Sequence, residues 1–309
     1  MKLYRFKTFT TSYYFPEIDS SLNFMYGLYS AYGSKLSKCC WWIFRHSRLV
    51  RNLFRCEVSE LPFPYSLIRE LDGNNCVMAF NMGSPGVEQK LSMLGYDYTE
   101  DQPFFAKFSQ SEIARHLTIN EINIYRLLEG TGLTPKLYKA IENEQYVYLK
   151  AEYVSGKRPR LSSVTPQVID ICLLLSQYHL TDEKKNSEGL ALTLSHGDFC
   201  PWNMLERKSY IRLVDWELAK DRPLGYDLFT YVFQVPFLLT PEKPISTIVE
   251  ESKEHFEMYF KQMGIDNYIP YLKSFAKNKY EYESYKNGNL ASKYAELSMW
   301  ISHNMRWGT

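Results

Sequence analysis

An aspartate and an asparagine five residues apart, followed by a second aspartate at the tip of an apolar run, constrain this chain more than any other feature. The first stretch is Ser195-His196-Gly197-Asp198-Phe199-Cys200-Pro201-Trp202-Asn203. The second is Ile211-Arg212-Leu213-Val214-Asp215-Trp216-Glu217, which puts Asp215 twelve residues past Asn203. An apolar run ending in aspartate reads as a short buried strand that delivers a carboxylate at its end. Asp198 is then a candidate proton acceptor, and Asn203 and Asp215 offer the oxygen ligands that hard cations take. Alone, Asp-x-x-x-x-Asn would read as a polar turn whose side chains bond their own backbone. The pair and the strand-borne aspartate, in this order, argue for a site.

Bulk properties set the frame. A chain of 309 residues suits two domains or two lobes sharing a cleft. The net charge of +1 gives no global electrostatic case for nucleic acid. The six cysteines, at 39, 40, 56, 76, 172 and 200, form no Cys-x-x-Cys pair, which speaks against zinc and for reduced thiols. The start, Met1-Lys2-Leu3-Tyr4-Arg5-Phe6-Lys7, lacks the apolar core of a signal peptide. No apolar run has transmembrane length. The expectation is a soluble cytoplasmic protein.

His196-Gly197-Asp198 through Asn203, with Val214-Asp215-Trp216-Glu217, resembles the aminoglycoside phosphotransferase and choline kinase family of the protein-kinase-like superfamily. The resemblance covers about residues 75 to 230. It implies an α+β, two-lobed protein-kinase-like fold, with a small antiparallel β-sheet lobe and a larger, mainly helical lobe. It implies ATP and Mg2+ as cofactors, Asp198 as the catalytic base, and Asn203 and Asp215 as Mg2+ ligands. Three regions follow: an N-terminal extension over 1–74, partly helical and packed on or near the small lobe; a small ATP-binding lobe over 75–154; and a helical catalytic and acceptor-binding lobe over 155–309.

The small lobe is readable piece by piece. Cys76 to Met82 reads as a strand, Gly83-Ser84-Pro85-Gly86 as a turn, and Val87 to Leu94 as the returning strand. In the resembled family such a hairpin covers the ATP phosphates, which would place Gly83, Ser84 and Gly86 against them. Lys107, in Pro103-Phe104-Phe105-Ala106-Lys107-Phe108, is costly to bury unless paired. It resembles the strand lysine that contacts the α- and β-phosphates, with the solvent face of an edge strand as the alternative. Its partner is expected on a helix over 111–129, with Glu121 first and Glu112 second. Thr118-x-x-Glu121 also fits a capping box, which would occupy Glu121 otherwise. Tyr146 to Val154 reads as a strand running into the lobe connection, where the backbone of Glu152 to Val154 would meet adenine.

Residues 165–180 read as a buried helix capped by Thr165, with Pro166 in its first turn. His179 is read as structural at its end, and His196 as a scaffold for the loop. Asp227 is expected to brace that loop. Only twelve residues separate Asp215 and Asp227, which leaves no room for a long activation loop and favours a small-molecule hydroxyl acceptor. Helices are expected near 245–263, 268–286 and 290–306.

The acceptor is less constrained. Residues 241–300 carry nine acids and eight lysines, a poor match for a polycationic aminoglycoside. Tyr259, Tyr268, Tyr271, Tyr280, Tyr282, Tyr285 and Tyr294 suit a sugar or a choline-like cation, or are packing residues. A sugar or sugar-like hydroxyl ranks first, choline or ethanolamine second and aminoglycosides third. A catalytically inactive nucleotide-binding scaffold is a further alternative. Residues 35–55 hold six Lys/Arg and no acid, with Leu36, Cys40, Ile43, Val50 and Phe54 at helical spacing. The first reading is a helix whose apolar stripe packs on the small lobe, and the second is peripheral membrane contact. A basic patch that draws an anionic substrate is a third.

Overall fold

The computed structural model describes residues 2–29, 35–73, 75–159, 164–208 and 210–305. Met1, Asn74 and Arg306, all named or spanned in the readings above, lie outside the described residues. The chain forms two compact units, Met1–Val154 and Ser155–Thr309.

The first unit is built on one sheet. In chain order its elements are β1 (Leu3–Lys7), β2 (Ser12–Pro16), α1 (Lys35–His46), α2 (Arg48–Leu53), β3 (Arg55–Cys56), α3 (Tyr65–Asp72), β4 (Cys76–Asn81), β5 (Leu91–Asp97), β6 (Gln102–Ser109), α4 (Glu112–Leu127), β7 (Leu137–Glu142) and β8 (Val147–Glu152). The eight strands lie in the order β3-β1-β2-β4-β5-β6-β8-β7, and every neighbouring pair is antiparallel. Alternation along the strands sends residues to two cores. Met78, Phe80, Met93, Phe104 and Ala106 pack on one face with Ile68 and Leu71 of α3. Ala79, Leu94 and partly buried Phe105 face the other, against Met25, Tyr26 and Phe44. Burial on both faces explains the near-continuous apolar runs of β4, β6 and β8. Gly95 is required by this packing: a Cβ there would sit 2.2 Å from the Phe104 ring.

Two readings change here. The first 74 residues are more than a partly helical extension, because β1, β2 and β3 add three strands to the same sheet. Strands of two to five residues carry too little alternation to stand out locally. The returning strand of the hairpin starts at Leu91 rather than Val87, and residues 82–90 form a longer connection. The Gly86 carbonyl accepts from Gln89 N–H at 3.1 Å and closes a turn where alternation had suggested a strand.

The second unit is mainly helical. It contains α5 (Pro166–Leu175), β9 (Leu192–Ser195), β10 (Met204–Arg207), β11 (Tyr210–Leu213), β12 (Lys220–Pro223), α6 (Tyr226–Leu239), α7 (Ile245–Gln262), α8 (Ile269–Tyr285) and α9 (Ala291–Asn304). The strands form two antiparallel pairs, β9 with β12 and β10 with β11. Thr165 caps α5 by accepting from Val168 N–H, as its sequence suggests. The helix stops at Leu175, so His179 lies beyond it, and its Nδ1 is buried without a partner among the described residues. Phe229, Phe233, Phe256, Phe260 and Phe275 stack into the aromatic centre. α6 had no sequence signal because it is buried nearly all round and shows no polar face, and Pro236 sits in its last turns. Of the seven C-terminal tyrosines, Tyr259, Tyr268, Tyr271 and Tyr294 are core residues.

Candidate active site

The loop between β9 and β10 is fixed from below by Asp227, at the start of α6. Its carboxylate accepts from Ser195 Oγ at 2.7 Å, His196 N–H at 2.7 Å and Gly197 N–H at 3.1 Å. One buried side chain thus satisfies three donors that the loop would otherwise leave orphaned. Gly197 is held at φ 86°, and a Cβ there would lie 2.4 Å from the Leu218 carbonyl oxygen. Only glycine fits that turn. His196 is buried and acts as a spacer. Asp198 N–H donates to its Nδ1 at 3.4 Å, which leaves Nε2–H to donate to the Val214 carbonyl at 3.1 Å. Its ring packs 4.5 Å from the Trp216 ring.

This frame presents Asp198 with three donors on its carboxylate. Oδ2 accepts from Asn203 Nδ2 at 2.9 Å and from Trp202 Nε1 at 3.3 Å. Oδ1 accepts from Gln234 Nε2 at 2.7 Å. Behind Gln234, Lys279 of α8 donates from Nζ to Gln234 Oε1 at 2.8 Å. Lys279 is 3% exposed and makes no ion pair among the described residues. Its ammonium lies over the rings of Tyr226, at 5.4 Å, and Tyr294, at 6.0 Å. Burial first, and then the Asp198 charge, hold the Cys200 thiol well above its usual range, so it stays neutral beside the carboxylate. Sequence reading missed Gln234 and Lys279. No local signal points to them, since Gln234 lies 36 residues from Asp198 and Lys279 a further 45.

The β10–β11 hairpin brings the two candidate cation ligands together. Val214 N–H donates to the Asn203 carbonyl at 3.0 Å, so Asp215 lies one residue beyond a backbone contact with Asn203. Asn203 Nδ2 is committed to Asp198, to its carboxylate and also to its carbonyl at 2.9 Å. Its Oδ1 is therefore the side-chain atom left to ligate. Asp215 sits at φ 69° in the left-handed region, which aspartate tolerates better than most residues. Glu217, not singled out from sequence, places a carboxylate oxygen within 4.8 Å of one on Asp215. Amide and carboxylate oxygens are the donor set that fits Mg2+ or Ca2+.

In the first unit, Lys107 of β6 and Glu121 of α4 form an ion pair of 2.6 Å, with side chains 7% and 1% exposed. Tyr125 OH donates to the other Glu121 oxygen at 3.0 Å. The capping-box alternative is excluded, because Thr118 lies mid-helix and its hydroxyl donates to the Ala114 carbonyl at 3.0 Å. The cap of α4 is Ser111, and Glu112 is exposed on its first turn. Ser111 Oγ also donates to the Val87 carbonyl at 2.5 Å, tying the 82–90 loop to the start of α4. Gly83 N–H, a candidate phosphate donor, is occupied by Asn81 Oδ1 at 3.0 Å. No hydrogen bond of Ser84 is seen among the described residues, and Gly86 closes the turn on Gln89. The Glu152 N–H is taken by the Lys136 carbonyl at 2.8 Å, inside the sheet, and Val154 follows after the strand ends.

Among solved structures, the chain is similar to an amicoumacin kinase. That structure is hAmiN in complex with AMP-PNP, Ca2+ and Ami, at 12% identity and a TM-score of 0.48, covering 77% of this chain and 93% of that one. No family model and no curated protein matches the sequence.

Proposed function

We propose that the protein is an ATP-dependent kinase that transfers the γ-phosphate to a hydroxyl of a small molecule. The observation that carries this is Asp198: a carboxylate pinned by Gln234, Asn203 and Trp202 on a loop braced by Asp227, with oxygen ligands for a cation at Asn203 and Asp215. In the proposed reaction Asp198 takes the proton of the acceptor hydroxyl. The hydroxyl oxygen forms a bond to the γ-phosphorus, and the bond from that phosphorus to the bridging oxygen of ADP breaks. A bound Mg2+, held by Asn203 and Asp215, would supply charge neutralisation on the phosphates. Lys107, oriented by Glu121, binds the α- and β-phosphates. Gly83, Ser84 and Gly86 lie against the phosphates once the Asn81 contact to Gly83 is exchanged. Val154 is the better adenine contact, since Glu152 N–H is already used.

Lys279 bears on the acceptor. A buried ammonium one amide away from Asp198 repels a cation, which weakens the case for choline, ethanolamine and aminoglycosides. A neutral sugar or sugar-like hydroxyl therefore remains first. The test is an acceptor screen with Mg-ATP and pooled sugars, amino alcohols and aminoglycosides, read by mass spectrometry, with Asp198→Asn as control. A phosphorylated product made only by the wild type is expected. Turnover retained by Asp198→Asn would remove Asp198 as base. Mg-ADP binding with no product from any pool would support an inactive scaffold instead.

A further inference from the structure

The helical stretch with the basic residues carries an inference independent of the kinase reading. The aromatic side chains of α1 settle which way it faces. Phe44 is buried, and Trp41 packs against Phe6 at 4.9 Å, Tyr29 at 4.8 Å and Phe15 at 5.3 Å. Trp41 and Phe44 lie three residues apart and point into the unit, whereas Leu36, Cys40 and Ile43 are exposed. Of the stripe that the sequence suggested would pack inward, Leu36, Cys40, Ile43 and Phe54 are exposed and Val50 is half-buried. Leu36, Trp42, Ile43, Leu49, Leu53 and Phe54 are all exposed, a concentration found nowhere else among the described residues.

The two helices are held as a fixed elbow. Ser47 caps α2 by accepting from Val50 N–H at 3.3 Å. Arg51 reaches back from α2 and donates to the last carbonyls of α1, Arg45 at 2.6 Å and Phe44 at 3.3 Å. The exposed apolar residues of both helices are therefore carried on a hydrogen-bonded elbow rather than on a loose segment.

Charge decides what fits this surface. Residues 35–55 carry Lys35, Lys38, Arg45, Arg48, Arg51 and Arg55, and no acid. Lys35 and Lys38 make no ion pair among the described residues, and the pairs Arg48–Glu17 and Arg55–Glu57 are exposed. A second copy docking face to face would set these cations against themselves. An anionic lipid surface matches both parts: basic side chains at the headgroups, Trp42 at the interface, and the leucines just below. No described helix is long and apolar enough to cross a membrane, so the contact is peripheral. We propose that the α1–α2 elbow docks the protein on an anionic lipid surface.

The test uses the full chain and sedimentation with vesicles of phosphatidylcholine alone or mixed with phosphatidylglycerol. The protein should pellet with the mixed vesicles only, and less as salt rises. At about fivefold per basic residue near the surface, Lys35→Gln/Lys38→Gln/Arg48→Gln should weaken binding roughly a hundredfold. Leu49→Ser/Leu53→Ser should also weaken it with an unchanged thermal midpoint. A blue shift of tryptophan emission on binding should shrink in Trp42→Phe. A protein that ignores anionic vesicles at low salt, or a charge variant that binds undiminished, would overturn the proposal. So would a dimer in sedimentation velocity that Leu49→Ser/Leu53→Ser converts to monomer, because the face would then belong to a second copy.

Discussion

Gln234 Nε2 donates to Asp198 Oδ1 at 2.7 Å. Because Lys279 holds the other end of the same amide, Gln234 is fixed with its nitrogen toward the carboxylate. Gln234→Ala should lower kcat by roughly 10- to 100-fold through lost positioning while leaving the KM for ATP near the wild-type value. Gln234→Glu keeps the acceptor for Lys279 but removes the donor to Asp198, so it should lower kcat as Gln234→Ala does while keeping more of the stability.

Asp227 serves three buried donors at once. Each buried donor left unsatisfied costs about 1–3 kcal/mol, so Asp227→Ala should destabilise the second unit by roughly 3 kcal/mol or more. Calorimetry should show a fall in its unfolding midpoint of roughly 6–12 °C. Asp227→Asn keeps two acceptor positions at its single carbonyl oxygen and should lose less.

The Lys107–Glu121 pair separates stability from binding. Glu121→Gln removes the carboxylate 2.6 Å from the buried Lys107 ammonium and should destabilise the first unit by up to roughly 3–5 kcal/mol. Lys107→Met/Glu121→Leu removes both charges and should recover most of that stability. If Lys107 binds phosphates, calorimetric titration with Mg-ADP should still show weak binding in the recovered double variant.

Chelation of divalent cations should abolish phosphoryl transfer, with activity restored by Mg2+. Asp215→Ala should raise the Mg2+ concentration needed for half-maximal activity about tenfold or more, and leave the cation-independent fold intact by circular dichroism.

The opposite face of the first unit's sheet predicts acid sensitivity. Lys150 bridges Asp97 at 2.8 Å and Asp72 at 3.1 Å, and Tyr148 OH donates to Asp72 at 2.6 Å. Burial pushes the Asp97 carboxyl up, but the Lys150 ammonium and the N–H groups of Thr99 and Glu100 outweigh it and hold it below its ordinary value of 3.8. A depressed carboxylate contributes stability that is present above the unfolded-state value and lost as pH falls through the folded one. Thermal melts should therefore drop as pH is lowered through the region below 3.8, and Asp97→Asn should flatten that drop at the cost of stability at neutral pH.

What the sequence determined by itself was local. Asp198, Asn203 and Asp215 stood out because residue type and spacing carried the chemistry, and the Thr165 cap was legible because it depends on residues within one turn. Lys107 was suspect because a lysine in an apolar strand needs a partner, and Glu121 supplies it. Tertiary structure alone decided what approaches Asp198 from afar. Gln234 sits on a helix whose burial all round hides its period, and Lys279 reaches it from α8, so neither contact has a local cause. The same holds for α1: its sequence has apolar residues on more than one side, and only the aromatic bed around Trp41 and Phe44 decided which side was covered. Periodicity fixes which residues share a face of a helix; which face is buried depends on what the rest of the chain packs against it.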